Sequence, residues 1–496
     1  VDGAVQLIAS LPYVDTARIG VTGHSSGGTA ANMAVEIDNS RETPLIAAVL
    51  QQAGDWQDDT GGDHSGDYGS RSVGIIASTH DDFYFGTYDD AGNMLTNPAA
   101  FMETDGAKKF LNFNEDGFAG IAEGGKYYTR DFDGKTAYRV IYRPNMIHPL
   151  VAFSTTCVGY AVDFFDTTLG APKPLPASDQ IWPIKAVFNS LGVIGLLIFM
   201  VSFTLVLLDT PVFSALRSGE IVQPAPVQDN GAKAWYWVLL IIGAVFSGSS
   251  FLFCMNTVYS KTTNFFVQTG PLTIGTWAAL CGIFAIFCSA VFYGAYGKKH
   301  GWSARRAGLY LNLEQLWKTI ALAVIVIVVS FGLVFAAHYF FQVDYRMYVV
   351  AFKTFGADKV LIALRYLPFF LLFYVMNSIS ANCFNYNTIG GKNGNILIFA
   401  FFNALGAIFV VASQYIYFYA TGYQLYGLTE GQRIGPIWLF PCMVLLFVTP
   451  IMSRIIYKRT RNPYIAGLIN AMFIVMISCS NTTTILGGGE LIATTF

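Results

Sequence analysis

RIGVTGHSSGGTAANMA, residues 18–34, holds the change of backbone direction on which the fold reading turns. Residues 18–22 (RIGVT) form a short apolar run that suits a buried strand. Residues 23–28 (GHSSGG) carry glycine at three of six positions and suit a tight turn. Residues 29–37 are rich in small residues and suit a helix lying close to the strand. The turn contains G-x-S-x-G, directly after a strand and directly before a helix. In that setting Ser25 is a candidate nucleophile, held with its Oγ above the sheet edge. Gly23 and Gly27 are expected to leave room where side chains would collide, and Gly28 to let the helix approach the strand. The Ser26 N–H, at the helix N-terminus, is the candidate oxyanion donor.

Outward from this stretch, residues 3–11 suit a helix with Val5, Ile8 and Leu11 on one face. Residues 45–52 and 73–78 read as further apolar strands. Residues 126–132 and 135–142 flank Asp133-Gly134, a strong hairpin turn signal. Residues 155–165 read as a helix. Strands alternating with helices imply a parallel α/β sheet. Residues 54–69 (GDWQDDTGGDHSGDYG) are dense in Asp and Gly, but their spacing departs from the calcium-binding helix–loop–helix pattern. The expectation there is a flexible surface loop with no metal.

The composition changes abruptly after this region. The chain has 496 residues and only 12% are charged, about half of what a soluble domain carries. The mean hydropathy of +0.46 points to lipid. Residues 1–170 read as a globular domain, and Pro172, Pro174 and Pro176 stiffen a linker over 171–185. Apolar runs follow at 186–208, 235–256, 273–295, 319–341, 361–382, 395–418, 436–457 and 463–480. Each is close to the ~20 residues that cross a bilayer. A tail over 481–496 completes the expected organisation: a partial α/β domain followed by an all-α polytopic membrane domain. A net charge of −2 gives no basic face for nucleic acid. Of seven cysteines only Cys157 lies in the polar half, so no disulfide forms there. No CxxC pair suggests zinc or redox chemistry, and no cofactor is implied.

LPYVDTARIGVTGHSSGGTAANMA, residues 11–34, resembles the nucleophile-elbow region of α/β-hydrolases, especially dienelactone hydrolases and prolyl-oligopeptidase-type esterases. The resemblance covers about residues 3–168 and the C-terminal half of that fold, its strands corresponding to the fifth to eighth of eight. With its spans, the whole chain resembles membrane-bound α/β-hydrolases of Gram-positive bacteria. The resemblance implies a serine hydrolase of esters or amides with the order nucleophile, acid, base. In residues 73–83 (VGIIASTHDDF) Asp81 takes the acid position, with Ser78 where the family has glycine; Asp82 and Asp55 remain alternatives. In residues 136–154 (TAYRVIYRPNMIHPLVAFS) His148 follows the last strand and takes the base position. His24, at the variable position of the elbow, is expected to be structural. His80, beside the acid, is not expected to be the base, and His64 lies in the Asp- and Gly-rich loop. The family's earlier strands supply a second oxyanion donor that residues 1–22 do not replace. A chain opening at Val1 without Met or signal peptide is therefore expected to be a fragment, weak or inactive alone.

The positive charges orient the spans. Lys298, Lys299, Arg305, Arg306 and Lys318 lie in one loop and Arg454, Lys458, Arg459 and Arg461 in another, on one side if there are eight spans. That side is expected to be cytoplasmic and the hydrolase-like domain extracytoplasmic, in the cell membrane. Transport, with the N-terminal domain as a binding or sensing module, is the alternative, but the spans hold few charged residues. Arg365 and Arg454 sit near span ends, where snorkelling is expected to suffice. Residues 374–387 (YVMNSISANCFNYN) are the most polar intramembrane stretch, suited to helix packing or to a site. Tyr415 and Tyr417 suit an interfacial belt.

Overall fold

A computed structural model describes residues 1–58, 62–89, 93–227, 229–348 and 350–485. The expected tail beyond residue 485 lies outside the described residues. The chain divides into two units. The first comprises Val1–Pro183 with Ser413–Arg433, the second Ile184–Ala412 with Ile434–Phe496.

The first unit is mixed α/β. Its elements are α1 (Asp2–Ala9), β1 (Ile19–His24), α2 (Ser26–Asn39), β2 (Ile46–Gln52), β3 (Ser72–Ile76), β4 (Thr87–Tyr88), β5 (Met94–Thr96), α3 (Asp105–Leu111), β6 (Tyr128–Phe132), β7 (Lys135–Tyr142) and α4 (Thr155–Leu169). The main sheet runs β1-β2-β3-β7-β6. Its first four strands are parallel, and β6 is antiparallel to β7. The Asp133-Gly134 hairpin forms as expected, with φ of 48° and 82°, the left-handed pair that a two-residue hairpin loop demands.

Side chains alternate across a strand, so each strand feeds both faces of the sheet. Val49, Val73, Ile75 and Ile141 pack with Val5, Ala31, Val35 and Tyr68 on one face. Leu50, Ile76, Val140 and Tyr142 pack with Cys157 and Phe164 on the other. Thus α2 covers one face and α4 the other, which explains the near-continuous apolar runs of β2 and β3. Among the described residues β1 pairs with β2 alone and forms one edge.

Two expectations differ here. The helix after Ser25 begins at Ser26, three residues earlier than expected. Residues 54–58 and 62–69 are packed rather than loose: Trp56, His64 and Tyr68 are buried, and Trp56 stacks on Phe101 and Phe110; residues 59–61 of that expected loop lie outside the described residues. Large aromatic surface outweighs the turn-forming residues around it.

The second unit is largely helical: α5 (Trp182–Leu208), α6 (Asn230–Thr257), α7 (Thr269–Phe292), α8 (Leu313–Phe341), α9 (Ala357–Ile379), α10 (Gly391–Thr421), α11 (Glu430–Thr460) and α12 (Pro463–Ser480), with the hairpin β8 (Tyr345–Met347) and β9 (Val350–Phe352) between α8 and α9. Three of these helices share residues with the first unit's stretches, α5 at its start and α10 and α11 within Ser413–Arg433. Among the described residues all eight long helices are apolar and long enough to cross a membrane. They fit a multi-pass membrane protein in a lipid bilayer. Small residues permit close helix approach: a Cβ on Gly406 of α10 would overlap Ala244 and Gly248 of α6, the packing expected where lipid removes a hydrophobic drive. α7 and α9 each end in a π-helical turn, at Tyr293–Gly297 and Ser380–Phe384.

Arg454 does not snorkel. It is 1% exposed and donates to Asn382 Oδ1 (2.8 Å), Asn395 Oδ1 (2.9 Å) and the Ala381 carbonyl (2.5 Å). Proximity to a span end says how far a side chain must reach, not which way its helix face points.

Candidate functional site

Ser25 sits between β1 and α2 with φ 57° and ψ −126°, a combination that costs a non-glycine residue of the order of 1–3 kcal/mol. Pairing on both sides holds it there. The Ser25 N–H donates to Gln52 O on β2 (2.9 Å), and the Gly28 N–H donates to Ser25 O (2.7 Å). A Cβ on Gly23 would overlap the Gly27 carbonyl, and one on Gly28 would overlap Gln51 Oε1. The expectation for Gly27 fails, because a Cβ there would meet nothing within 4 Å. Room is needed at Gly23 and Gly28, where helix meets strand. Ser26 opens α2, so its N–H is among those without an intrahelical acceptor.

The segment after β3 runs beside the segment after β7. Ala77 N–H donates to Tyr142 O, Thr79 N–H to Pro144 O and His80 N–H to Met146 O. This brings Asp81 to His148. The Asp81 carboxylate is fully buried. It accepts from His148 Nδ1 (3.0 Å), Ser78 Oγ (3.1 Å), Phe83 N–H (3.0 Å) and Tyr84 N–H (2.9 Å). The His148 ring is wedged among Tyr84, stacked at 5.8 Å, Phe83 at 5.0 Å and His24 at 4.9 Å. With Nδ1 committed to Asp81, Nε2 is the nitrogen left for proton exchange.

The electrostatics follow from this packing. Burial pulls the His148 imidazole down, but the Asp81 charge and hydrogen bond outweigh it and hold the ring above its ordinary value. Burial pushes the Asp81 carboxyl up, but the His148 charge and hydrogen bond, with the Tyr84 and Phe83 N–H groups, leave it below the usual carboxylate range. The imidazolium state is thus stabilised, as a general base requires.

The other candidates have different partners. Asp82 Oδ2 accepts from the His148 backbone N–H (3.2 Å) rather than from the ring. Burial, with the Asp81 charge beside it, pushes the Asp82 carboxyl up to about 8. Asp55 Oδ1 accepts from Gln57 N–H (2.8 Å), and burial pushes its carboxyl up to about 6. His24 Nε2 lies 3.1 Å from His148 O; burial and then His148 hold its ring below the ordinary range. His80 stacks on Tyr419 at 4.4 Å. His64 lies between Asp67 (2.9 Å) and Asp58 (3.3 Å). Among the described residues no group of three or more His, Cys, Asp or Glu is arranged to hold a metal.

Sequence reasoning missed one contributor. Ser413–Arg433, between the sixth and seventh apolar helices, belongs to the first unit. Gln424 Nε2 donates to Asp82 O (2.7 Å) and Tyr88 Oη (3.2 Å). Arg433 lies 4.8 Å over the Tyr88 ring. Tyr415 is buried in this unit rather than standing in an interfacial belt. The available signal was residues 414–426 (QYIYFYATGYQLY), which carry more polar and aromatic groups than a lipid-facing run needs.

Comparison with family models, with curated proteins and with solved structures returned no match.

Proposed function

We propose that the first unit is a serine hydrolase of the α/β-hydrolase type, cleaving an ester or amide through an acyl-enzyme. The observation that carries this reading is the buried Asp81–His148 Nδ1 pair, with the His148 ring against His24, the neighbour of the strained Ser25. In this reading His148 Nε2 takes the Ser25 Oγ proton as Oγ attacks the substrate carbonyl. The Ser26 N–H meets the oxyanion. His148 then protonates the leaving group, and water releases the acyl group by the same steps.

We place this unit outside the cell. The basic loops favour the opposite side as cytoplasmic. Six of the eight apolar helices separate the two stretches of the first unit, and an even number of crossings returns a chain to the side it left.

A membrane-impermeant fluorophosphonate applied to intact cells expressing the full chain tests both parts. Covalent labelling that disappears in Ser25→Ala is the expected result. Labelling only after the cells are opened would overturn the orientation and leave the chemistry standing. No labelling in either preparation, or labelling that persists in Ser25→Ala, would overturn the hydrolase reading.

A further inference from the structure

The second unit contains a cavity of about 630 Å³, within the roughly 300–1,000 Å³ typical of small-molecule sites. Phe246 of α6, Phe284 of α7, Phe373 of α9 and Phe399 and Phe402 of α10 give it aromatic walls. The mouth carries Asp229, His300 and Arg306, beside the most basic loop of the chain. An apolar wall of this extent does not suit a hydrated inorganic ion; it suits a slender apolar body.

Three independent features point to a polar group on that body. Tyr236 lines the cavity, is 5% exposed, and its hydroxyl has no hydrogen-bond partner among the described residues. A buried hydroxyl left without a partner costs about 1–3 kcal/mol, a cost that an acceptor on a ligand removes. Next, both π-helical turns of the unit border this cavity. Lys298 N–H bonds Tyr293 O and Asn385 N–H bonds Ser380 O, each five residues back. The turns present Tyr296 and Ser380 to the cavity. Single π-helical turns are frequent at functional sites.

The third feature is Arg454. Its guanidinium bonds two amide oxygens and a backbone carbonyl, and among the described residues no carboxylate lies within ion-pair distance of it. It stands 4.0 Å over the ring of Tyr386. Asn395 links it to Asn387. Tyr386 and Asn387 both line the cavity. A buried cation surrounded by neutral acceptors projects an unneutralised positive field through that wall. Asp229 is the opposing charge at the mouth, and its carboxylate is engaged by the Tyr296 hydroxyl and the Ala232 N–H.

We propose that this cavity binds a single-chain anionic amphiphile: an acyl or alkyl chain among the phenylalanines, with a carboxylate or phosphate group drawn by Tyr236, Arg306 and the field of Arg454. The site is separate from the Ser25 chemistry and stands whether or not that chemistry does.

The test uses the full chain in phosphatidylcholine nanodiscs and palmitate carrying a diazirine on its chain. Saturable photolabelling is expected on α6, α7, α9 and α10. Palmitate or hexadecyl phosphate should compete, and the stronger of the two identifies the head group. Hexadecanol, with the same chain and no charge, should compete about tenfold or more worse, the ratio expected for losing a charged hydrogen bond. Tyr236→Phe should weaken binding by a similar factor. Gly243→Leu should block it, since Gly243 lines the cavity and a Cβ there meets nothing within 4 Å. Labelling that does not saturate, adducts confined to lipid-facing positions, or equal competition by hexadecanol would overturn the proposal. The competition series needs no variant, so misfolding of either substitution does not protect the proposal.

Discussion

Asp81 and Arg454 are both fully buried charges, and the molecule surrounds them in opposite ways. Asp81 is met by an ionisable partner, His148, and by three neutral donors. Among the described residues Arg454 is met by neutral acceptors alone. A carboxylate facing an imidazole makes a centre in which a proton can change owner at modest cost. A guanidinium facing amides makes a fixed charge, because arginine does not release its proton. The first arrangement suits chemistry and the second suits holding an anion or a helix register.

Five substitutions would break or sharpen that contrast. The largest effect belongs to Asp81→Asn. If Asp81 orients and charges His148, turnover of an activated ester should fall by about 10⁴. The raised value of His148 means that the neutral base accumulates only above the ordinary value of about 6.5. The acid limb of the rate profile should therefore lie above that pH in the parent and move down in the variant. An unmoved limb would separate Asp81 from the base.

Arg454→Met should act on stability rather than on ester turnover. It strands two amide oxygens and a carbonyl in the second unit, at about 1–3 kcal/mol each. Thermal unfolding of the detergent-solubilised chain should show a loss of at least ~3 kcal/mol. Unchanged melting would mean that the amides find other donors.

Asp82→Asn makes a smaller, pH-dependent test. The Asp82 carboxyl holds its proton up to about 8 in the folded chain, whereas an unfolded Asp releases it near 3.9. Between those values the native state binds the extra proton, so stability falls as pH rises. Asparagine cannot ionise. The variant should gain on the parent as pH rises from about 5 to 9, read as a steadily widening gap between their melting temperatures. A shift equal at all pH values would show that Asp82 is not titrating there.

The smallest effect is expected at Gly27. Gly27→Ala should change stability by no more than about 0.5 kcal/mol, because its Cβ position is open. Gly23→Ala should fold poorly. Equal damage from both would mean that Gly27 meets something the folded chain hides.

What the sequence disclosed follows from the kind of signal each feature leaves. The strand–turn–helix around Ser25 was legible because glycine spacing and apolar runs are local. His148 was singled out by the hydrolase resemblance, at its position after the last strand, and the parallel sense of the sheet by alternation of strands and helices. The choice between Asp81 and Asp82 is not periodic: adjacent side chains differ only in which way a loop turns them. The inward face of Arg454 depends on neighbours more than 50 residues away, Asn382 and Asn395. Gln424 meets Asp82 across 342 positions, with no local pattern to announce it.

That last contact has a consequence for how the chain is made. Synthesis runs from the N-terminus, so the sheet, Asp81 and His148 emerge long before Gln424. At about 5–20 residues per second, the stretch between Leu169 and Ser413 delays that arrival by roughly 12–50 s. Through that interval Asp82 O and the faces of His80 and Tyr88 wait for Gln424, Tyr419 and Arg433. The loop that carries Asp81 is thus the last part of the first unit to receive its neighbours. The packing behind it is completed only after the sixth apolar helix has been synthesised.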